Sequence, residues 1–176
     1  MTTGNMNQKG FLGWIIVVTV LIIIVITSIV IAVNLSGSIP GDLIYPVKEI
    51  SENIRLGANE LSFEGRASAH IDETNERARE IVTLIERKEN EEKIVKALER
   101  LQLTQKKALE NIGKARSKGT NMTIYIGKLE ASFTRQQQVL QDLTYQVPSS
   151  LYDIVNKTML ETDNNLIKIG QIRTYQ

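Results

Sequence analysis

His70 is the one histidine in 176 residues, so any chemistry that needs an imidazole has to run through it. With Glu73 it makes an i, i+3 pair on a helix, half of the Glu/His set that carboxylate-bridged metal sites draw from facing helices. The sequence holds no second such half, which reads His70 as a surface or edge residue and leaves no metal site expected. Ser62, Ser68 and Ser117 have no histidine at a catalytic spacing. Asp72-Glu73 and Glu91-Glu92 read as solvated helix faces, not as a general acid–base dyad in a cleft. There is no Cys, hence no thiolate nucleophile, thiolate metal site or disulfide framework. Glycine-rich phosphate loops, EF-hand loops and zinc spacings are missing as well. The expectation is a protein that is not an enzyme and takes no cofactor.

A second group of polar residues sits on an irregular stretch, Pro40-Gly41-Asp42-Leu-Ile-Tyr45-Pro46-Val-Lys48. Pro40-Gly41-Asp42 is a turn signal, with Pro fixing φ and Gly free to take φ > 0. Pro46 fits the first turn of a helix, where its missing N–H costs nothing. Asp42, Tyr45 and Lys48 on a rigid turn suggest a small recognition site. The plainer reading is a turn and cap that docks Tyr45 against helices and fixes the domain to what precedes it, and the residue types favour it.

The element that dominates the chain is Phe11–Val33, apolar throughout and without a charge. As a helix it is roughly 34 Å long, enough for a hydrocarbon core of about 30 Å. Thr19, Thr27 and Ser28 can bond back to their own helix and cost little in lipid. The run is too long for a cleaved signal, and Ala32-Val33-Asn34 is a poor cleavage site, so it reads as an uncleaved signal anchor. Lys9 is the only charge before Asp42, which orients the N-terminus inward and the C-terminal domain outside the cytoplasm. Lys9-Gly10-Phe11 before an apolar helix also resembles a prepilin signal, although Ile15 stands where pilins carry Glu. With 21 basic and 20 acidic residues the formal charge is +1, against both a nucleic-acid binder and an acidic disordered tail.

Three Pro and abundant Ile, Leu, Glu, Lys, Gln and Ala point to an all-α domain. Val47, Ile50, Ile54, Ala58 and Leu61 form a helical stripe, with Gly57 weakening its second half. Ala67, Ile71, Thr74, Ala78, Ile81 and Ile85 run into Ile94, Leu98, Leu101, Gln105, Ala108 and Ile112 around a polar Arg87–Glu92 segment. Folding back there pairs 85 with 94, 81 with 98 and 67 with 112, an antiparallel coiled-coil seam. Glu73–Arg77, Glu89–Lys93 and Glu92–Lys96 are i, i+4 ion pairs. Gly119 ends the second helix, with Asn121 capping the next; the cations of Lys114–Lys118 complement the helix end. A third run takes Met122, Ile126, Leu129, Phe133, Gln136, Leu140, Leu143 and Val147. Pro148 stops it, and Ser150 with Asp153 offers a capping box. A fourth run takes Tyr152, Val155, Met159, Thr162, Leu166 and Ile169. Gln105, Gln136 and Thr162 fall on seams, where they specify register or mark a partner surface.

Pro40-Gly41-Asp42-x-x-Tyr45-Pro46-x-Lys48, then His70 in a second helix with Glu76-Arg77-x-x-Glu80, resembles a bacterial family catalogued as domain of unknown function 5667. The resemblance covers about residues 38–115, with Ile44 where Leu is expected. It implies an extracytoplasmic helical domain behind one anchor helix, in some members behind anti-sigma-factor modules, and no established activity. The whole reads as a tail (1–10), a transmembrane signal anchor (11–33), a linker and turn (34–46), a first hairpin domain (47–118) and a C-terminal hairpin (120–176). The expected partners are the lipid bilayer through 11–33 and a protein partner or a second copy, with no nucleic acid and no small-molecule substrate. The function expected is a structural, sensory or accessory part of a single-pass cell-envelope protein. The alternatives are a regulator related to anti-sigma proteins, whose tail of about ten residues is too short to hold a sigma factor, and a pilin-like subunit.

Overall fold

The structure is a computed structural model that describes residues 17–24, 27–28, 38–40, 42–59 and 62–174. Its elements are α1 (Tyr45–Asn59), α2 (Phe63–Glu86), α3 (Glu91–Ser117), α4 (Thr123–Thr144), a 3-10 turn (Ser149–Leu151) and α5 (Tyr152–Thr174). The described residues are all-helical. Residues 17–24 and 27–28 are helical too, and the rest of Phe11–Val33 lies outside the described residues, as do residues 1–10 and 34–37. No helix among the described residues is long and apolar enough to cross a membrane.

Helices α2–α5 form a four-helix bundle. The α2–α3 and α4–α5 hairpins stand side by side, α4 against α2 and α5 against α3. The first reversal is a Schellman turn, in which Lys88 N–H donates to Ile85 O at 2.9 Å and Glu89 N–H to Leu84 O at 3.0 Å. Lys88 takes the left-handed φ of +52° that this turn requires. Asn90 then caps α3, its side chain accepting from Lys93 N–H at 2.9 Å. The same turn recurs after α3 around Gly119, φ +80°, with Thr120 N–H donating to Ala115 O at 3.1 Å. Asn121 accepts from Thr123 N–H at 3.1 Å at the start of α4.

Two apolar layers fill the bundle. One holds Ile81, Leu84, Leu98, Leu101, Leu140, Leu143, Leu151 and Val155; the other holds Ile71, Ile112, Met122, Ile126, Leu129, Phe133 and Ile169. Between them lies a buried polar layer. Gln105 Nε2 donates to Gln136 Oε1 at 2.8 Å and to Thr162 Oγ1 at 3.0 Å, and Gln105 Oε1 accepts from Asn165 Nδ2 at 3.3 Å. Gln136 continues through Ser132 to Asn75, and Ser132 also meets Thr74. Every helix of the bundle contributes, so a slip of one helix by a turn would strand amides in hydrocarbon.

Two expectations are corrected here. The seam of α5 is Val155, Thr158, Thr162, Asn165 and Ile169, preceded by the buried Leu151 of the 3-10 turn; Tyr152 is exposed, and Met159 and Leu166 lie at the edge. The helix is rolled toward the polar layer, because Thr158 accepts from Gln102 Nε2 at 2.7 Å and Asn165 reaches Gln105. Ser150 does not cap α5. It lies in the 3-10 turn that Pro148 initiates, and its hydroxyl donates to Glu91 Oε1 at 2.8 Å.

Candidate functional site

The turn before α1 is tied at both ends. Asp42 N–H donates to Ile39 O at 3.0 Å, and Ile39 N–H returns a bond to Asp42 Oδ2 at 3.0 Å. Ile39 itself is 1% exposed and fills the apolar layer beside Ile81 and Leu98. Arg87, just past the end of α2, reaches Asp42 Oδ2 at 3.2 Å. Pro40 is half-buried, Pro46 is exposed in the first turn of α1, and Gly41 lies outside the described residues.

From this turn α1 presents a polar face to α2. Lys48 is 4% exposed, and its ammonium donates to Ser38 O at 3.0 Å, Glu80 Oε1 at 2.8 Å and Glu76 Oε1 at 2.7 Å. Arg77 donates to Glu80 Oε1 at 2.8 Å and to Glu52 Oε2 at 2.5 Å. The Tyr45 hydroxyl accepts from Arg100 of α3 at 2.7 Å and faces Arg77 at 3.4 Å. The two halves of the motif, Asp42/Tyr45/Lys48 and Glu76/Arg77/Glu80, therefore meet as one network of alternating charge. Ser38, Glu52 and Arg100 complete it and were missed in the sequence. Glu52 had a signal, since it lies one turn beyond Lys48 on the face that carries Tyr45.

Burial and charge oppose each other in this network. Burial pulls the Lys48 ammonium down, but hydrogen bonds to Glu76 and Glu80 outweigh it and hold its pKa above the ordinary 10.5. Burial likewise opposes Arg77, and Glu80 with Glu52 raises it further. Burial pushes the Tyr45 hydroxyl above 10.0, with Glu80 adding and Arg77 and Arg100 opposing. At Glu52 burial prevails over Arg77 and raises the carboxyl. Burial would raise Glu73 too, but His70 and Arg77 bring it below 4.5.

Carboxylate oxygens of Glu52, Glu76 and Glu80 lie within 4.8 Å of one another. Lys48 and Arg77 already serve them as counter-ions, so a cation there would have to displace a cation of the chain. His70 Nδ1 lies 3.2 Å from Glu73 Oε2, and the pair is largely buried at the edge of this network. Ser62 caps α2 by accepting from Gly65 N–H at 2.9 Å, and Ser117 donates to Lys114 O.

The apolar stripe of α1 points the other way. Val47 is 50% exposed, Ile50 60% and Ile54 68%, and Leu43 just ahead is fully exposed. The side chains of Ala58 and Leu61 lie outside the described residues. The helix thus docks through its polar face, because that face meets the buried charges of α2.

A profile of the family described as Domain of unknown function (DUF5667) matches residues 37–150. The chain belongs to this family. Comparison with curated proteins and with solved structures returned no match. The DUF5667 match begins one residue before Ser38 and runs through α4 to Ser150, well beyond the residues near Ala115 where the resemblance in the sequence fades. All of α5 lies past its end, yet Val155, Thr162 and Ile169 are buried parts of the bundle.

Proposed function

We propose that this DUF5667 protein is a single-pass membrane protein of the bacterial cell envelope. Its helical bundle stands outside the cytoplasm and works by protein–protein contact, without catalysis. The observation that carries the reading is the uncharged run Phe11–Val33. Where that run is described it is helical, and the Thr27 and Ser28 hydroxyls donate to Ile23 O and Ile24 O at 2.7 Å. Such back-bonds let a hydroxyl sit in lipid at little cost. A non-catalytic role is supported by the motif's own chemistry. Its charged groups are bound to one another, and the single imidazole is paired with a carboxylate. Protease treatment of intact cells bearing a C-terminal tag, with the mature N-terminus sequenced from the same sample, tests the proposal. A tag cut from outside, with the N-terminal residues retained, is the expected result. A tag protected until lysis reverses the orientation, and a chain beginning at Phe11 assigns it to pilin-type processing.

A further inference from the structure

The outward face of α1 is an apolar seam that the described residues of the bundle leave uncovered. Leu43, Val47, Ile50 and Ile54 follow a 4-3-4 spacing, and each is half to fully exposed. In heptad terms Val47 and Ile54 take position a and Ile50 takes position d, and Leu43, in the turn just ahead of the helix, continues the spacing. Tyr45 and Glu52 then fall at f, opposite the seam, which is the face bound to α2. The docking of α1 therefore aims this seam squarely into solvent.

Three features point to one occupant. Val47 and Ile54 at a with Ile50 at d make an aliphatic seam of the kind that packs against an identical helix. The flanking e and g positions are Ile44, Pro46, Ser51 and Asn53, so no like charges would face each other across a pair of identical helices. Only Asn34–Gly37 separate the apolar run from Ser38, so copies held in one bilayer would present their α1 helices at the same height and with the same polarity. A lipid surface is served less well. Interfacial helices carry Lys or Arg beside an apolar face that often includes Trp or Phe, whereas Lys48 is consumed by Glu76 and Glu80 and the seam has no aromatic.

We propose that a second copy of this chain covers the seam, α1 against α1 in parallel register. The inference rests on the membrane reading above for the tether, while the seam itself is read from the bundle. A chain without cysteine allows a direct test. Val47→Cys, Ile50→Cys, Ile54→Cys and, facing away, Glu49→Cys are made singly in the full chain and oxidised in native membranes. A disulfide needs Cα atoms about 4.4–6.8 Å apart, so the three seam variants should form covalent dimers on the order of tenfold faster than Glu49→Cys. Adding Asp at a neighbouring seam position, as in Val47→Cys with Ile50→Asp, should abolish the difference. Equal or absent cross-linking at all four positions overturns the proposal. So does a seam cysteine that fails to cross-link yet is shielded from a water-soluble thiol reagent, since lipid or another protein would then be the cover. Fractionation of the same cells separates the two failures. A chain outside the membrane pellet refutes the anchor, whereas a membrane-embedded chain without seam cross-links refutes only the pairing.

Discussion

Replacing Lys48 by Met removes an ammonium with three acceptors while keeping most of the side-chain volume. Ser38 O loses the hydrogen bond from Lys48, Glu76 keeps Arg79 at 3.3 Å, and Glu80 keeps Arg77 at 2.8 Å. A lost hydrogen bond from a charged donor costs about 1.5–3 kcal/mol. A buried carboxylate stripped of its counter-ion costs about 3–5 kcal/mol, and Glu80 loses one of two. The net cost is about 3 kcal/mol after the methylene stem is retained. It should fall on the docking of α1, which the polar face holds to α2, rather than on the bundle core. Amide hydrogen exchange of the detergent-solubilised full chain reads this directly. Amides of α1 should exchange about 100-fold faster, since each decade corresponds to about 1.36 kcal/mol, while those of Leu98 and Leu101 stay as they were. Adding Glu80→Gln should recover part of the protection by removing the under-compensated charge. Unchanged exchange in α1, or equal acceleration in every helix, would refute the assignment of Lys48 as the pin of α1.

The remaining predictions concern the core, the turns and alkaline pH. Gln105→Leu strands Gln136 Oε1 and Asn165 Nδ2 in the polar layer, and should lower stability by about 2–4 kcal/mol in thermal or urea melts; a neutral change would mean that the layer is hydrated. Lys88→Gly should raise stability by about 0.5–1 kcal/mol and Gly119→Ala lower it by about 1 kcal/mol, because both sites hold a left-handed φ. Melting shifts of the same sign in the two variants would contradict the turn assignment. Lys48 and Tyr45 both titrate above their ordinary values of 10.5 and 10.0, so the folded chain holds both protons more tightly than the unfolded one. The stability they contribute is complete below about pH 10 and is lost as pH rises through the folded values. Tyrosinate absorbance should accordingly show a late step that Tyr45→Phe removes, and a titration lacking that step would count against a buried Tyr45.

The bundle was legible because its signal is redundant. The seams of α2, α3 and α4 repeat an apolar or small residue every three or four positions over about five turns or more, and Asn90 caps the start of α3 as its type suggests. The seam of α5 is shared between apolar and polar residues. Periodicity fixed Val155, Thr162 and Ile169, but it could not choose between Met159 and Thr158 or between Leu166 and Asn165. That choice is made by Gln102 and Gln105 on another helix, which offer hydrogen bonds to the polar alternative. The polar members of the seams were visible as exceptions, and their partnership was not, because it depends on four helices arriving at one level.

The motif shows a different limit. Hydrophobic periodicity identifies which face of a helix is apolar, and by itself it assigns that face to the core. In α1 the assignment inverts, because α2 presents Glu76, Arg77 and Glu80 at the docking position, and burying those charges against Val47, Ile50 and Ile54 would cost far more than exposing three aliphatic side chains. Lys48 answers Glu76 and Glu80, and Glu52 answers Arg77, so the polar face goes inward and the apolar face is left over. A buried ion network contributes little net stability compared with an apolar replacement. Its retention here makes sense if the apolar face of α1 is wanted outside. The same residues that resemble a recognition site by composition then serve to orient a helix, and the stripe on its other side is the surface proposed above for pairing.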